Sequence, residues 1–375
     1  MSRVSRSCVV PLIALTAVAC AAPISQIGTV TSAQLATEAL EQQRFAIESD
    51  WQSQLRLQAV ALPLLKASLP LCGADAALSG GVTVATIHSY PRDWQAAARL
   101  AGLGDTLSVV GVVSGSGAER AGIKRGDRVA TVSGVTVAPG PNAVKQFSSL
   151  VASRSAPAKL AAGSAGSPPQ FASPTMPVAI ARSGAPLVVD VPMDTVCAYG
   201  VTALQEDLLN AFADGDNVFV TSAMMRFATA PDELETIVAH EIAHNAMQHM
   251  DAKNKNAVIG GIFGLIVDIA AASAGVYTGG KYTSELANFG AMKFSQDFER
   301  EADYVGLYIL ARSGHSIRNA PSLWRRMATE SPGSIKFASS HPTTAERYIR
   351  LAAYITEIEA KQASGAPLLP EVKKK

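Results

Sequence analysis

The stretch that most constrains this chain is the H-E-x-x-H sequence from His240 to His244. In an α-helix these two histidines lie one turn apart on the same face, so both imidazoles can bind one Zn²⁺. Glu241 beside them can act as the general base toward an attacking water. Pro231 and the acidic residues after it suit the first turn of such a helix. The alternative is an amphipathic helix whose histidines lie in a core or on the surface.

A catalytic zinc site needs a third protein ligand and leaves its fourth position open. The best candidate is Glu299, and Asp303 lies four residues later on the same helical face. Asp303 can then accept a hydrogen bond from the second nitrogen of a ligand histidine. Glu301 is the rival ligand, but it lies about 200° around the helix from Glu299, so both cannot face the metal. The alternative is a solvated acidic helix face.

These motifs together resemble a known family. His240 to His244, then E-x-x-A-D from Glu299 to Asp303, then Ser340-His341-Pro342 and Arg347, resemble the HtpX, Oma and CAAX-prenyl-protease family of zinc metallopeptidases. The resemblance covers roughly residues 196–355. It is far more specific than H-E-x-x-H alone.

The resemblance implies a role for each motif residue. It implies three ligands for one zinc ion per chain: His240, His244 and Glu299. Glu241 would be the base, and Asp303 would support a ligand histidine. His341 and Arg347 match the family's late H-P-x-x-x-x-R pattern near the catalytic cleft. His341 could stabilise the oxyanion of the tetrahedral intermediate, cap the zinc, or be an ordinary loop histidine.

The N-terminus is typical of an exported protein. Residues 1–19 have two arginines before a short apolar run, which is the pattern of a secretory signal, and the run is too short for a transmembrane helix. Cys20 follows Ala17-Val18-Ala19, which resembles a bacterial lipobox, so we expect a lipid anchor at Cys20. By resemblance to lipoprotein sorting rules, Ala21 favours the outer membrane. The alternative is ordinary cleavage nearby and a soluble periplasmic protein.

Two further segments precede the catalytic region. Residues 20–75 are predicted to be a helical segment, because apolar residues recur at helical intervals. Residues 76–195 are rich in Gly, Val and Ser, and Gly117 to Val137 resembles the "SPAxxAGLxxGDxIxxVNG" core of bacterial PDZ domains. That resemblance implies an inserted β-rich domain that binds an extended peptide as an added strand, or a spacer without a ligand. Residues 153–175 are predicted to be a flexible insert.

Four cysteines are present, and two of them flank the PDZ-like segment. Cys8 leaves with the signal and Cys20 is the candidate lipid site. If the segment is inserted into the peptidase fold, its ends lie close together, and an exported compartment permits a Cys72–Cys197 disulfide. The alternative is two buried unpaired cysteines.

The catalytic domain is predicted at residues 196–361, followed by a disordered tail at 362–375. Asn217 to Thr221 is predicted to be a strand, which either pairs with substrate backbone or belongs to the core sheet. His249 lies nine residues after His240, so a continued helix places it opposite the ligand face. The apolar run at 257–276 is interpreted as a buried or cleft-covering segment, or alternatively as a membrane contact.

The overall prediction is an α+β protein. It combines a mainly helical gluzincin-type metallopeptidase domain, which has a small sheet, with the inserted PDZ-like domain. A formal net charge of +1 gives no support for a nucleic-acid partner. The resemblance implies a zinc-dependent endopeptidase of the bacterial cell envelope that hydrolyses unfolded or misassembled polypeptides. The alternative is a chaperone-like or latent peptide-binding protein.

Overall fold

The computed structural model describes most of the chain, as five ranges: residues 28–73, 75–155, 175–250, 296–330 and 345–371. The described residues divide into two compact units at the boundary between Ala39 and Leu40, and the core and the site both belong to the second unit. Outside the described residues lie five predicted features: the secretory signal at 1–19, Cys20, His341, most of the 153–175 insert and the apolar run at 257–276.

The described residues form nine α-helices and eleven strands. The helices are α1 (Ser32–Ala67), α2 (Gln95–Leu100), α3 (Gly117–Arg120), α4 (Ala143–Ser155), α5 (Ser222–Phe227), α6 (Pro231–Ala246), α7 (Gln296–Arg312), α8 (Ala320–Glu330) and α9 (Ala345–Ser364). The strands are β1 (Ala76–Ser79), β2 (Val82–Ala85), β3 (Ser108–Val112), β4 (Arg128–Val132), β5 (Val135–Thr136), β6 (Thr175–Arg182), β7 (Ala185–Pro192), β8 (Asp194–Cys197), β9 (Gly200–Leu204), β10 (Ala211–Ala213) and β11 (Asn217–Thr221). The prediction of mixed helix and sheet is confirmed. No described helix is both long and apolar enough to cross a membrane.

The largest sheet is antiparallel and lies between residues 82 and 192. Its strand order is β2-β3-β4-β6-β7, and β5 pairs with β4. β6 and β7 form a hairpin through Ser183 and Gly184, both with positive φ, as a two-residue turn with right-handed strand twist requires. Alternate residues such as Val129 and Ile180 point into a core that Phe147 of α4 also enters. Side-chain alternation therefore directs one face of this sheet into this core. On the other face, Val110 of β3 packs in a separate core with Ile47 and Trp51 of α1.

A short ladder joins this sheet to the rest of the chain. β1 pairs with β8 in antiparallel register, from Ala76 opposite Cys197 to Ser79 opposite Asp194. A disulfide links Cys72 to Cys197, and both cysteines are buried. The carboxylate of Asp194 contacts Lys66 of α1 at 3.0 Å and Arg120 of α3 at 3.1 Å. The start and the end of the inserted sheet thus lie side by side.

The second core surrounds α6. This helix packs on β10 and β11 and is in turn covered by α7. At Gly306 the two helices approach so closely that an added Cβ would lie 3.2 Å from the backbone of His240. Glycine at this position allows the two helices that carry the predicted ligands to come together.

The structure corrects two expectations about this region. β11 is the middle strand of the sheet β10-β11-β9, so its backbone pairs on both sides and the prediction that it could take a substrate strand is wrong. Its apolar sequence could not distinguish a central strand from an edge strand. Residues 372–375 lie outside the described residues, and the segment 362–371 differs from the predicted disordered tail. Lys361 of α9 holds it by donating to the carbonyl of Leu369 at 2.9 Å and to Glu371 at 2.6 Å.

Candidate metal centre

The H-E-x-x-H sequence lies in the buried half of α6. Pro231 occupies the first turn, where a missing backbone N–H costs no helical hydrogen bond, and Glu233 accepts from the backbone N–H of Ala230 at 3.1 Å. Every residue from 234 to 246 is buried. A helix buried on all sides holds its side chains rigidly, and this one places His240, Glu241 and His244 in a fixed frame.

Three donor atoms converge between α6 and α7. Nε2 of His240 lies 3.1 Å from Nε2 of His244, and each of these nitrogens lies 3.5 Å from a carboxylate oxygen of Glu299. The donor atoms of a tetrahedral zinc site lie about 3.3–3.6 Å apart, since zinc bonds to nitrogen and oxygen are about 2.0–2.2 Å long. All three side chains are buried. The two nitrogen–oxygen distances lie in this range and the two nitrogens lie slightly closer together than it, so the donor types, burial and approximate spacing fit a zinc ion.

The charges around this point favour a divalent cation. Glu241, Glu299 and Asp303 place three carboxylates in the interior, and Arg347 is the buried guanidinium beside them. With neutral histidines and ionised carboxylates, this group carries two negative charges in excess. Buried charge is stable when it is paired or bound to metal, so an ion of charge +2 would balance the group.

His240 is held by a chain of contacts on its far side. Its Nδ1 lies 3.0 Å from Asp303 Oδ1, which also accepts a hydrogen bond from Nη2 of Arg347 at 2.6 Å. The ring of Trp324 lies edge-on to His240 and directly under the Arg347 guanidinium, 3.7 Å from it. Burial lowers the pKa of His240, but Asp303 and Glu299 outweigh burial and raise the pKa to about 9. The surroundings therefore favour a cation at this imidazole, either a proton or a metal ion.

His249 lies beside the site, contrary to the expectation that it faces away. The helix ends at Ala246, so the rotation counted along a continuous helix does not apply. Nδ1 of His249 lies 2.9 Å from Nδ1 of His244, and its Nε2 lies 3.0 Å from Glu301. Glu301, the rival ligand in the sequence, contacts this third histidine. Sequence reasoning missed the arrangement because the residues after α6, Met247 and Gln248, include no Gly or Asn to mark its end.

The structure thus brings together most of the predicted residues. His240, Glu241, His244, Glu299, Asp303 and Arg347 lie in one buried cluster. Cys72 and Cys197 form the disulfide at the β1–β8 ladder, and His341 and Cys20 lie outside the described residues. Trp324 gave no sequence signal, because a lone tryptophan in a helix is indistinguishable from core.

A pair of histidines one turn apart on a helix, with a glutamate from a second helix, is the ligand set of one group of zinc metallopeptidases with the H-E-x-x-H motif. Residues 182–355 match the family model described as Peptidase family M48. This part of the chain is a Peptidase family M48 domain, and the predicted family resemblance is confirmed.

Curated relatives agree with this family. The chain is 33% identical over 158 residues to "Mitochondrial metalloendopeptidase OMA1" of Schizosaccharomyces pombe, covering 41% of this chain and 45% of that protein. It is 32% identical over 136 residues to "Beta-barrel assembly-enhancing protease" of Yersinia pestis, covering 34% of this chain and 28% of that protein. The chain therefore spans less than half the length of these relatives.

Two solved structures show weak similarity to about a third of this chain. The HtrA3 PDZ domain bound to a phage-derived ligand is 13% identical, with 32% of this chain and 88% of that chain covered and a TM-score of 0.22. "HtrA-type protease AlgW with decapeptide" is 20% identical, with 32% and 30% covered and a TM-score of 0.21. Scores this low carry no argument, so the PDZ-like domain at 76–195 stays a prediction.

Proposed function

We propose that this protein is a zinc-dependent endopeptidase with a gluzincin-type site. The observation that carries the proposal is the convergence of His240, His244 and Glu299 to donor spacings of 3.1–3.5 Å in a buried position. Glu241 directly follows the first of these ligands on the same rigid helix.

Different residues of the chain would have different roles in peptide hydrolysis. A zinc ion bound by His240, His244 and Glu299 would supply Lewis acidity, which lowers the pKa of water and polarises a carbonyl. Glu241 would accept the proton of the attacking water and deliver it to the leaving amine. Asp303, held by Arg347, would keep the ring of His240 in the ligating orientation.

The substrates that we propose are unfolded or misassembled proteins of the bacterial cell envelope. Two features support this compartment: the signal-like residues 1–19 and the lipobox-like sequence before Cys20. The relative from Yersinia pestis is named for the assembly of β-barrels. We propose a lipid anchor at Cys20 on the periplasmic face of the outer membrane, and peptide binding by the PDZ-like residues 76–195.

The test is degradation of an unfolded model protein by the full chain, with bound zinc quantified. The matched control is Glu241→Gln, which has nearly the same shape as the wild type but cannot take up a proton. We expect one zinc per chain in both proteins and cleavage by the wild type alone. If neither protein cleaves although zinc is bound, the endopeptidase proposal fails, and a chaperone-like or latent peptide-binding protein becomes the better explanation. His341→Ala would then test whether His341 caps the zinc.

A further inference from the structure

The two histidines of the metal centre are supported from behind by different groups. Nδ1 of His240 lies 3.0 Å from the carboxylate of Asp303, whereas Nδ1 of His244 lies 2.9 Å from Nδ1 of His249. Nε2 of His249 lies 3.0 Å from the carboxylate of Glu301. The support of His244 is therefore an imidazole backed by a carboxylate, and it lies outside the motif residues that carry the family resemblance.

The backbone after α6 is shaped to bring His249 to this position. Gln248 has φ of +55°, a left-handed conformation that non-glycine residues adopt rarely and at some cost. This residue turns the chain back, so the next side chain points at the ligand face and not away from it. The ring of His249 stacks on Phe298 of α7, with ring centroids 4.6 Å apart. Its side chain is 1% exposed, so its orientation is fixed by packing.

The direction of every hydrogen bond in this chain of residues follows from zinc binding at His244. The Nε2 atom of His244 faces His240 and Glu299, and an imidazole that binds a cation through Nε2 carries its proton on Nδ1. That N–H donates to Nδ1 of His249, which must then carry no proton. The proton of His249 lies on Nε2 and is donated to Glu301. Each N–H group in the chain thus has an acceptor.

We propose that His249, held by Glu301, is a positioning residue that sets the tautomer and ring orientation of His244 and so strengthens zinc binding. The inference rests on the proposed zinc site. Outer partners of ligand histidines typically change metal affinity by about 10–100-fold. Alternating carboxylates of α7 then serve the same centre in three ways: Glu299 as ligand, Glu301 through His249, and Asp303 through His240.

The experiment measures the zinc dissociation constant of the full chain by competition with a chromophoric chelator. His249→Phe keeps a flat ring against Phe298 but offers no acceptor, whereas His249→Asn offers a carbonyl oxygen near the position of Nδ1. We expect His249→Phe to weaken zinc binding by about 10–100-fold and His249→Asn to recover most of that loss. The absorption bands of the cobalt(II)-loaded protein should change in the first variant and return in the second, because they report ligand geometry. Glu301→Leu should weaken zinc binding by nearly as much as His249→Phe.

The matched control is His315→Phe. His315 also pairs with a carboxylate of α6, that of Glu235, at 3.0 Å. Glu235 lies five positions before His240, so this pair does not contact a candidate ligand. The urea unfolding curve of each metal-free variant separates a change in zinc affinity from a change in stability. Equal losses of zinc affinity in His249→Phe and His315→Phe, or an unchanged cobalt spectrum, would overturn the positioning role. A wild type that binds no zinc would instead overturn the proposed function, and with it this inference.

Discussion

Arg347 is a buried cation, and its removal should destabilise the fold. Its side chain is 5% exposed, and it donates to Asp303 at 2.6 Å. Arg347→Met keeps an apolar stem over Trp324 but takes this donor away from Asp303. Breaking one side of a buried ion pair costs about 3–5 kcal/mol, because the remaining charge stays desolvated. In the metal-free protein Asp303 keeps its contact with His240 at 3.0 Å, and the pKa of His240 is raised to about 9, so we expect a loss at the lower end of this range. An exposed pair is worth about 0–1 kcal/mol.

The assay is urea unfolding of the metal-free protein, with Arg318→Met as the matched control. Arg318 pairs with Glu359 at 2.7 Å, nearly the same distance, but its side chain is 77% exposed. We expect a loss of about 3 kcal/mol or more for Arg347→Met. The loss for Arg318→Met should stay below about 1 kcal/mol. Equal losses in the two variants would refute the argument from burial.

The same variant tests whether Arg347 acts on the metal centre through Asp303. Because Asp303 also contacts Nδ1 of His240, loss of its partner should lower zinc affinity by about tenfold. The double variant Arg347→Met/Asp303→Asn should lose less stability than the sum of the single variants, since the residues share one interaction. Additive losses, or unchanged zinc affinity, would show that the guanidinium and the ligand are not coupled.

Three further predictions concern other parts of the fold. Burial would raise the pKa of Asp127, but Arg182 and a backbone N–H outweigh burial and lower this pKa. The stabilising contribution of the ionised Asp127 should therefore be present above about pH 4 and be lost as pH falls through the lowered pKa. Between about pH 2 and pH 6, the free energy of unfolding should therefore change less with pH in Asp127→Asn than in the wild type. An equal slope in the two proteins would contradict this. Gly306→Val should push α7 away from the His240 backbone, with a loss of about 1–3 kcal/mol and weaker zinc binding by chelator competition; wild-type values in both assays would contradict the close approach. Replacing Cys72 and Cys197 by serine should cost about 2–5 kcal/mol in urea, because the disulfide closes a loop with a sequence separation of 125. Free thiols at Cys72 and Cys197 in the wild type without reductant would exclude the disulfide.

Local spacing predicted which side chains of α6 and α7 share a face, because the candidate ligands follow helical periodicity. His240 and His244 are one turn apart, and Glu299 and Asp303 repeat that spacing, so a helical assignment for both segments already places each pair on one face. The contact between the two faces is not local. The close approach of α6 and α7 depends on Gly306, and the sequence around this glycine does not indicate that another helix packs there.

The parts that sequence reasoning missed depend on how chain segments end or pair. The position of His249 follows from one left-handed residue, Gln248, which looks like any other polar residue after a helix. The central position of β11 follows from strand order, and its apolar run is compatible with several orders. Hydrophobic periodicity predicts helices and strands, but it does not predict the backbone turn after a helix or the order of strands in a sheet.

The β1–β8 ladder makes the six-stranded sheet a detachable cassette. Ser79 and Asp194 face each other at the end of the ladder, so a short hairpin turn could join them and bypass everything between. Such a shortened chain would retain the disulfide and all three donor residues. It would also uncover Trp51 of α1, whose indole N–H now donates to Tyr90 inside the bypassed segment. Genetic exchange could therefore replace the cassette, provided that the new segment covers Trp51 and Ile47 and takes the place of Val113 in the core around α6.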